Sequence, residues 1–292
     1  MFQQLLFAAI VSGSLYALVA LGLNLVYGSL RLLNIAHGDL VMIGAYIAFW
    51  SFTLLGISPI ISLFTTTLLC GGLGFLVYVV LLKRQLNAPA LAQRLEANSL
   101  IIFYGLSVIL QNATSLAFTA TSRGYQYLGG VHTFAGVSAT GNMLLLLGVA
   151  ALITLGALAF LRFHIAGWSL LAVIERKDAA AVVGVDVDRV QMTSICAGFA
   201  IAGVAGVLVS MTQQITPFMG FPFTIAAFVV VIMGGLGNIL AGIAAGFVLG
   251  FVETFGVALT SATYRSILIY GIFVGVLLLR PQGLFGKAVQ AR

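Results

Sequence analysis

Charge is almost absent from this chain except in one stretch, and that distribution fixes the solvent in which it can fold. Arg162, Glu175, Arg176, Lys177, Asp178, Asp186, Asp188 and Arg189 all fall within residues 162–189, and they are eight of the twenty Asp, Glu, Lys and Arg residues in 292. The rest is a series of long apolar runs, so that 61% of residues are hydrophobic and 7% charged, against about half and a quarter in soluble domains. Only a lipid bilayer suits such runs. A spanning helix takes about 20 apolar residues, and in hydrocarbon every backbone N–H and C=O must be paired within its own segment or in a closed barrel. The alternation of barrel strands is missing here. The expected fold class is all-α: a polytopic integral membrane bundle of about eight to nine helices, forming one transmembrane domain over residues 1–292.

Spans are expected at 4–27, 39–56, 59–82, 99–120, 141–161 and 191–215, as a Gly-interrupted pair within 222–259, and at 264–280. Basic residues cluster beside them: Lys83, Arg84 and Arg94, then the 162–189 island, then Arg280, Lys287 and Arg292. The positive-inside rule places all three clusters in the cytoplasm. Residues 162–190 then form a cytoplasmic loop and 281–292 a cytoplasmic tail. Counting crossings back puts residues 121–140, the turn near Pro217 and the N-terminus outside. The net charge of +6 is therefore a topology signal and not a nucleic-acid surface. Met1–Ala9 lacks the Lys or Arg that precedes the apolar core of a signal peptide, so the first span is expected to be retained. Cys70 and Cys196 lie in apolar stretches and read as small hydrophobes. His132 and His164 have no partner at metal-ligand spacing, and no nucleophile elbow, HExxH or paired-carboxylate motif occurs.

Two places break the bilayer's rules. From Gly28 to Tyr46 the sequence GSLRLLNIAHGDLVMIGAY sets Arg31, Asn34, His37 and Asp39 between apolar runs, and GGLGN does the same with Gly234, Gly235, Gly237 and Asn238. Polar groups at membrane depth are costly and persist where they line a cavity, pair or reach water. One Gly-rich interruption in each half is the pattern of broken helices around a midplane path; the alternative for the first is a water-exposed turn. Glu253, alone in the run 239–259, points into the bundle toward Asn238, Arg265 or a backbone amide, or stays protonated, with a structural or a transport role. Glycines at spacing four, Gly242, Gly246 and Gly250, then Gly271 and Gly275, predict close helix contacts.

Within the island, Glu175–Val190 reads as a short helix closed by Gly184 at the position after its C-cap. DAAAVVG, from Asp178 to Gly184, resembles the EAA loop of ABC-importer permeases, with Asp in place of Glu. The whole chain is similar to the branched-chain amino acid ABC transporter permease family, of the high-affinity leucine, isoleucine and valine type. The stretches that carry this are GSLYALVALGLNLVYG (13–28), LNIAHGDLVMIGAY (33–46), FVVVIMGGLGNILAGIAAGFVLGFVE (228–253) and RPQGLFG (280–286).

The resemblance implies a non-enzymatic permease subunit of a bacterial inner-membrane importer. It would pair with a second permease, the expected arrangement being a heterodimer, sit on two cytoplasmic ATPases that bind the ATP and magnesium, and receive solute from a periplasmic binding protein. The chain itself is expected to hold no cofactor, and it lacks a GxxxxGK[ST] loop. Glu175, Arg176, Lys177, Asp178, Ala179, Ala180, Gly184, Asp186 and Arg189 are the expected ATPase-coupling residues. Asn34, His37, Asp39, Gly234, Gly235, Gly237, Asn238 and Glu253 are the expected path. Relatives with similar permeases carry other amino acids, urea or short amides. Two rival readings are an ion-coupled transporter using Asp39 and Glu253, and a membrane anchor for a cytoplasmic complex.

Overall fold

The computed structural model describes residues 1–86, 95–134, 136–280 and 283; Arg94 and most of the 281–292 tail, with Lys287 and Arg292, lie outside the described residues. Helix α1 runs Phe2–Leu30, α2 His37–Leu55, and α3 starts at Pro59 and continues through a π-helical turn, Tyr78–Leu82, to Leu86. After α4 (Leu95–Phe118) come a hairpin of β1 (Val131–Phe134) and β2 (Val137–Thr140), then α5 (Gly141–Phe163), α6 (Ile165–Glu175) and α7 (Lys177–Val182). The chain continues with α8 (Val187–Ser210), α9 (Gly220–Gly234), α10 (Ile239–Leu259), a 3₁₀ turn (Ala262–Tyr264) and α11 (Arg265–Leu279). Among the described residues, eight helices are long and apolar enough to cross a membrane, while α6 and α9 are shorter.

Their order sets two ends. α5 is 23 residues long, about 34 Å at 1.5 Å per residue, and it separates the hairpin from the charged island. The start of α1 lies at the hairpin end, because the Gln4 amide donates to Ser138 O at 2.7 Å and accepts from Ser138 N at 2.9 Å. The hairpin pairs Val131 with Thr140 through Phe134 with Val137, so its backbone groups need no helix; it caps the bundle and is, among the described residues, the one sheet in an otherwise helical fold.

α1 is apolar on every side and is buried from Gly13 to Leu30 except at Tyr16, as expected of a helix at the centre of a bundle. Glycine lets its neighbours approach. A methyl at Gly246 on α10 would stand 2.6 Å from Ala17 N, and one at Gly198 on α8 would stand 2.6 Å from Gly22 O. Such backbone contact drives association where lipid removes the hydrophobic effect. Gly250 meets the backbone of α1 in the same way and Gly242 meets the Asn24 side chain, but Gly271 and Gly275 face open space. α11 carries exposed Ile267, Val274 and Leu278, so the expected contact there is not made among the described residues.

Candidate functional site

After Leu30 the chain turns at Arg31, which takes the left-handed conformation at φ 57° and returns its N–H to Tyr27 O. Residues 31–36 then climb back along α1 until His37 Nε2 donates to Val19 O at 2.9 Å. Val19 stands about 16 Å along the axis from Leu30, within the roughly 20 Å that six extended residues span. Leu32, Asn34, Ala36 and His37 are fully buried. Beyond the exposed Arg31 the segment is thus a re-entrant extended stretch inside the bundle and not a water-exposed turn.

α9 begins against the same point. Gly38 N donates to Thr224 Oγ1 at 2.9 Å, and that hydroxyl donates to Ile35 O at 3.0 Å. A methyl at Gly38 would fall on the carbonyl of Gly220 and within 2.7 Å of Thr224 N. The N-terminus of α2 and that of the shorter helix α9 therefore meet at the level of Val19 on α1. Asp39, in the first turn of α2, accepts from Gln111 Nε2 at 3.0 Å, and a methyl at Gly220 would lie 2.6 Å from its Oδ1. The positive ends of both helix dipoles converge on this carboxylate. Asn34's amide, His37 Nδ1 and Asp39 Oδ2 are buried without a hydrogen-bond partner. Left dry, each such group costs about 1–3 kcal/mol.

The second Gly-rich segment lies elsewhere. Gly235 and Gly237 take positive φ, Asn238 caps α10 by accepting from Ala241 N at 3.1 Å, and Gly237 N donates to Asn24 Oδ1 at 3.3 Å. Together they close a tight turn, with Gly234 packed against Gly242. Its level on α1, between Asn24 and Gly28, is about 8–14 Å toward the island end from that of His37. The two Gly-containing segments expected to line the path therefore lie at different levels along α1, and it is Gly220 and Thr224 that face Gly38. Glu253 is also separate. Its Oε1 pairs with Arg265 Nε at 2.7 Å, beside the Tyr16 hydroxyl, tying α10 to α11 near the hairpin end.

The island forms two short helices where one was expected. α6 ends at Arg176 in extended backbone, and α7 follows. Gly184, at φ 88°, closes α7 with bonds from Val185 N to Ala180 O at 3.0 Å and from Gly184 N to Ala181 O at 3.1 Å, the pattern a left-handed residue permits. Asp186 then caps α8 through Arg189 N. Glu175, Arg176, Lys177, Asp178, Ala179, Gly184, Asp186 and Arg189 stand at the surface, whereas Ala180 is buried and anchors the helix. Sequence reasoning missed Val182 and Val183, which are 87% and 77% exposed on a surface otherwise charged.

Ile174, also missed, joins this surface to the rest. Its carbonyl accepts from Arg31 Nη2 at 2.9 Å, and its side chain packs on Gly28 and, more loosely, on Gly237. The end of α1, the start of the re-entrant stretch and the α9–α10 turn therefore meet on one residue. Asp188 steadies the base of α8, accepting from the Tyr78 hydroxyl at 2.5 Å and pairing with Lys83 at 3.4 Å. Gln191 Nε2 reaches Ser29 O at 3.1 Å. All described cations except Arg123 and Arg265 lie at this end of the bundle.

A family model described as the permease component of the branched-chain amino acid transport system matches residues 5–277. The chain is similar to the high-affinity branched-chain amino acid transport system permease protein LivH of Escherichia coli strain K12, at 31% identity covering 98% of this chain and 96% of that protein. It is 30% identical to the LivH of Salmonella typhimurium, over 98% of this chain and 96% of that one. Against BraD of Pseudomonas aeruginosa the identity is 29%, over 98% and 96%. No solved structure shows a significant match.

Proposed function

Because the chain belongs to the family of branched-chain amino acid transport permeases, we propose that it is a permease subunit of an ABC importer for branched-chain or related amino acids. It resides in the bacterial inner membrane with the island end in the cytoplasm, where the positive-inside rule places the cation-rich end. Two separate ATPases bind ATP and magnesium and dock on α6–α7, a second permease completes the membrane unit, and a periplasmic binding protein delivers solute at the hairpin end. The docking surface is the exposed Val182–Val183 pair within the charged rim of Glu175, Arg176, Lys177, Asp178, Asp186 and Arg189.

The observation that carries this reading is the junction at Ile174. A displacement of α6–α7 by the ATPases acts on Arg31 and on the α9–α10 turn through the same residue. Both helices that meet at Gly38 and Thr224 are continuous with those elements, so the junction opens or closes with the docking segment. Asn34, His37 and Asp39 then present polar groups to the passing solute. The ion-coupled rival loses one of its two carboxylates, since Glu253 is engaged by Arg265.

The test is site-directed photo-cross-linking. A single cysteine at Val183, with Cys70 and Cys196 replaced by Ala and the thiol alkylated with a benzophenone maleimide, is expected on irradiation to cross-link to an ATPase subunit of the assembled transporter. Cross-linking at Val183 to periplasmic material, or full ATP-independent uptake by the isolated chain, would overturn the proposal.

A further inference from the structure

A groove of about 710 Å³ runs between α5 and α8 at the island end and reaches Leu25 of α1. It follows α8 from Asp186 to Ile201, about 22 Å at 1.5 Å per residue. Spread over that length, the volume gives a mean cross-section of about 32 Å², well below the roughly 80 Å² of a bare helix 10 Å across. The groove therefore has room for hydrocarbon chains and not for a further helix.

Its polarity changes along that length. Asp186, Arg189 and Ser169 line the mouth, whereas the deeper Ala197, Ile201, Ile153 and Ala157 present hydrocarbon only. Between them the Thr193 and Ser194 hydroxyls donate to Val190 O, so the polar demand is confined to the mouth. The corner between α5 and α6 fixes the level of that mouth: Phe163, Ile165 and Trp168 are all exposed, and Trp168 Nε1 donates to Arg162 O at 2.9 Å. Exposed aromatic and apolar side chains at the end of a spanning helix sit at the headgroup boundary. The groove thus opens at the bilayer surface and runs inward beside the hydrocarbon.

The charges at the mouth define the head of a matching ligand. Asp186 Oδ1 accepts from Arg189 N at 3.0 Å, and Oδ2 faces Arg189 Nε at 3.5 Å. A carboxylate has about four acceptor sites, and the two Nη groups of Arg189 have no partner among the described residues. The forked guanidinium suits a phosphate, and the spare carboxylate sites suit an ammonium beside it. A purely anionic head would set its second polar group against Asp186, and a trimethylammonium has no N–H to donate. We infer that the α5–α8 groove binds phosphatidylethanolamine, with its phosphate on Arg189, its primary ammonium on Asp186 and an acyl chain along Ile153, Ala157 and Ile201. The site goes beyond the permease reading and needs only that the chain spans a bilayer.

Glycine supplies the test. Gly156 lines the groove, Gly148 lies outside it about 12 Å along α5, and a methyl at either would meet nothing within 4 Å. Phenylalanine at Gly156 therefore fills the groove, and at Gly148 it does not. The full chain in detergent micelles is mixed with equal amounts of phosphatidylethanolamine, phosphatidylcholine and phosphatidylglycerol of identical acyl chains, and retained lipid is counted by native mass spectrometry. Phosphatidylethanolamine is expected to be retained about two- to fivefold over either competitor, the range for one exposed charge contact. Asp186→Asn, which keeps an acceptor for Arg189 N, should bring it down to the phosphatidylcholine level. Gly156→Phe should abolish the preference and Gly148→Phe should leave it intact. Equal retention of the three lipids, or greater retention of phosphatidylglycerol, overturns the site, and this comparison stands even where a variant fails to fold. A preference that survives Gly156→Phe, or is lost equally in Gly148→Phe, overturns it as well. Weaker pairing of Gly156→Phe with a second permease, at unchanged lipid retention, assigns the groove to a protein interface and refutes the lipid site.

Discussion

Truncating Ile174 to Ala tests whether the docking segment communicates with α2 and α9 through one side chain. The change removes three carbons that pack on Gly28 and Gly237. A buried methylene is worth about 0.8 kcal/mol, so full burial would give about 2.4 kcal/mol; Ile174 is half-buried, and partial collapse of the space it leaves brings the loss to about 1–2 kcal/mol. The bond from Arg31 uses the main-chain carbonyl and survives. If this side chain carries the coupling, the equilibrium linking docking to the membrane junction falls by about 5- to 30-fold, since 1.4 kcal/mol is a factor of ten. Assembly and ATP hydrolysis should continue. Solute moved per ATP, measured as uptake and phosphate release in the same proteoliposomes, should fall by that factor, and Ile174→Val, which removes one carbon, should cost about fourfold or less. An unchanged ratio in Ile174→Ala, with the protein intact, refutes the coupling route.

Thr224→Val removes the acceptor of Gly38 N and the donor to Ile35 O; with two buried backbone groups left unpaired the loss is about 2–4 kcal/mol, read as a lower melting temperature and slower uptake. Glu253→Gln keeps a polar contact with Arg265 but not the ion pair, and because Arg265 is half-exposed and can reach solvent, about 1–2 kcal/mol is expected. Uptake by that variant should stay ATP-driven and insensitive to protonophores; a collapse of uptake without loss of stability would restore the ion-coupled reading. Gly246→Val places a branched side chain on Ala17 and should prevent accumulation of folded protein in the membrane, whereas Gly271→Ala meets open space and should leave the melting temperature of the isolated chain unchanged.

The spans were legible because hydrocarbon leaves the backbone so few choices: each expected apolar run became a helix, with ends shifted by a few residues. Gly184 was legible too, since a left-handed closure after an Ala-rich turn favours glycine. Depth was not. Both 28–46 and 234–238 read as Gly-containing interruptions of apolar runs, yet one segment climbs to the level of Val19 and the other closes a turn beside Gly28. The difference lies in Asn238, whose side chain caps α10 locally, and in Thr224, a single hydroxyl in the run FPFTIAAF that satisfies two groups of a segment 186 residues away. Ile174 carries no sequence signal, for an isoleucine before a charged run looks like any other; only the approach of Gly28 and Gly237 gives it a role. Val182 and Val183 could have been noticed as apolar residues inside the charged island.

The placement of glycine divides the molecule into parts that are fixed and a part that can change. Along α1, Gly13 and Gly22, with Gly246 and Gly250 of α10, let neighbouring helices approach to backbone distance, and interiors packed this closely have low compressibility and transmit strain. At the junction of α2 and α9, the close approach of Gly38 and Gly220 is combined with unpaired groups on Asn34, His37 and Asp39. A conformation that admitted water or solute there would recover hydration for those groups, at about 1–3 kcal/mol each, offsetting the packing given up between Gly38 and Gly220. Opening would thereby cost less than the packing alone implies.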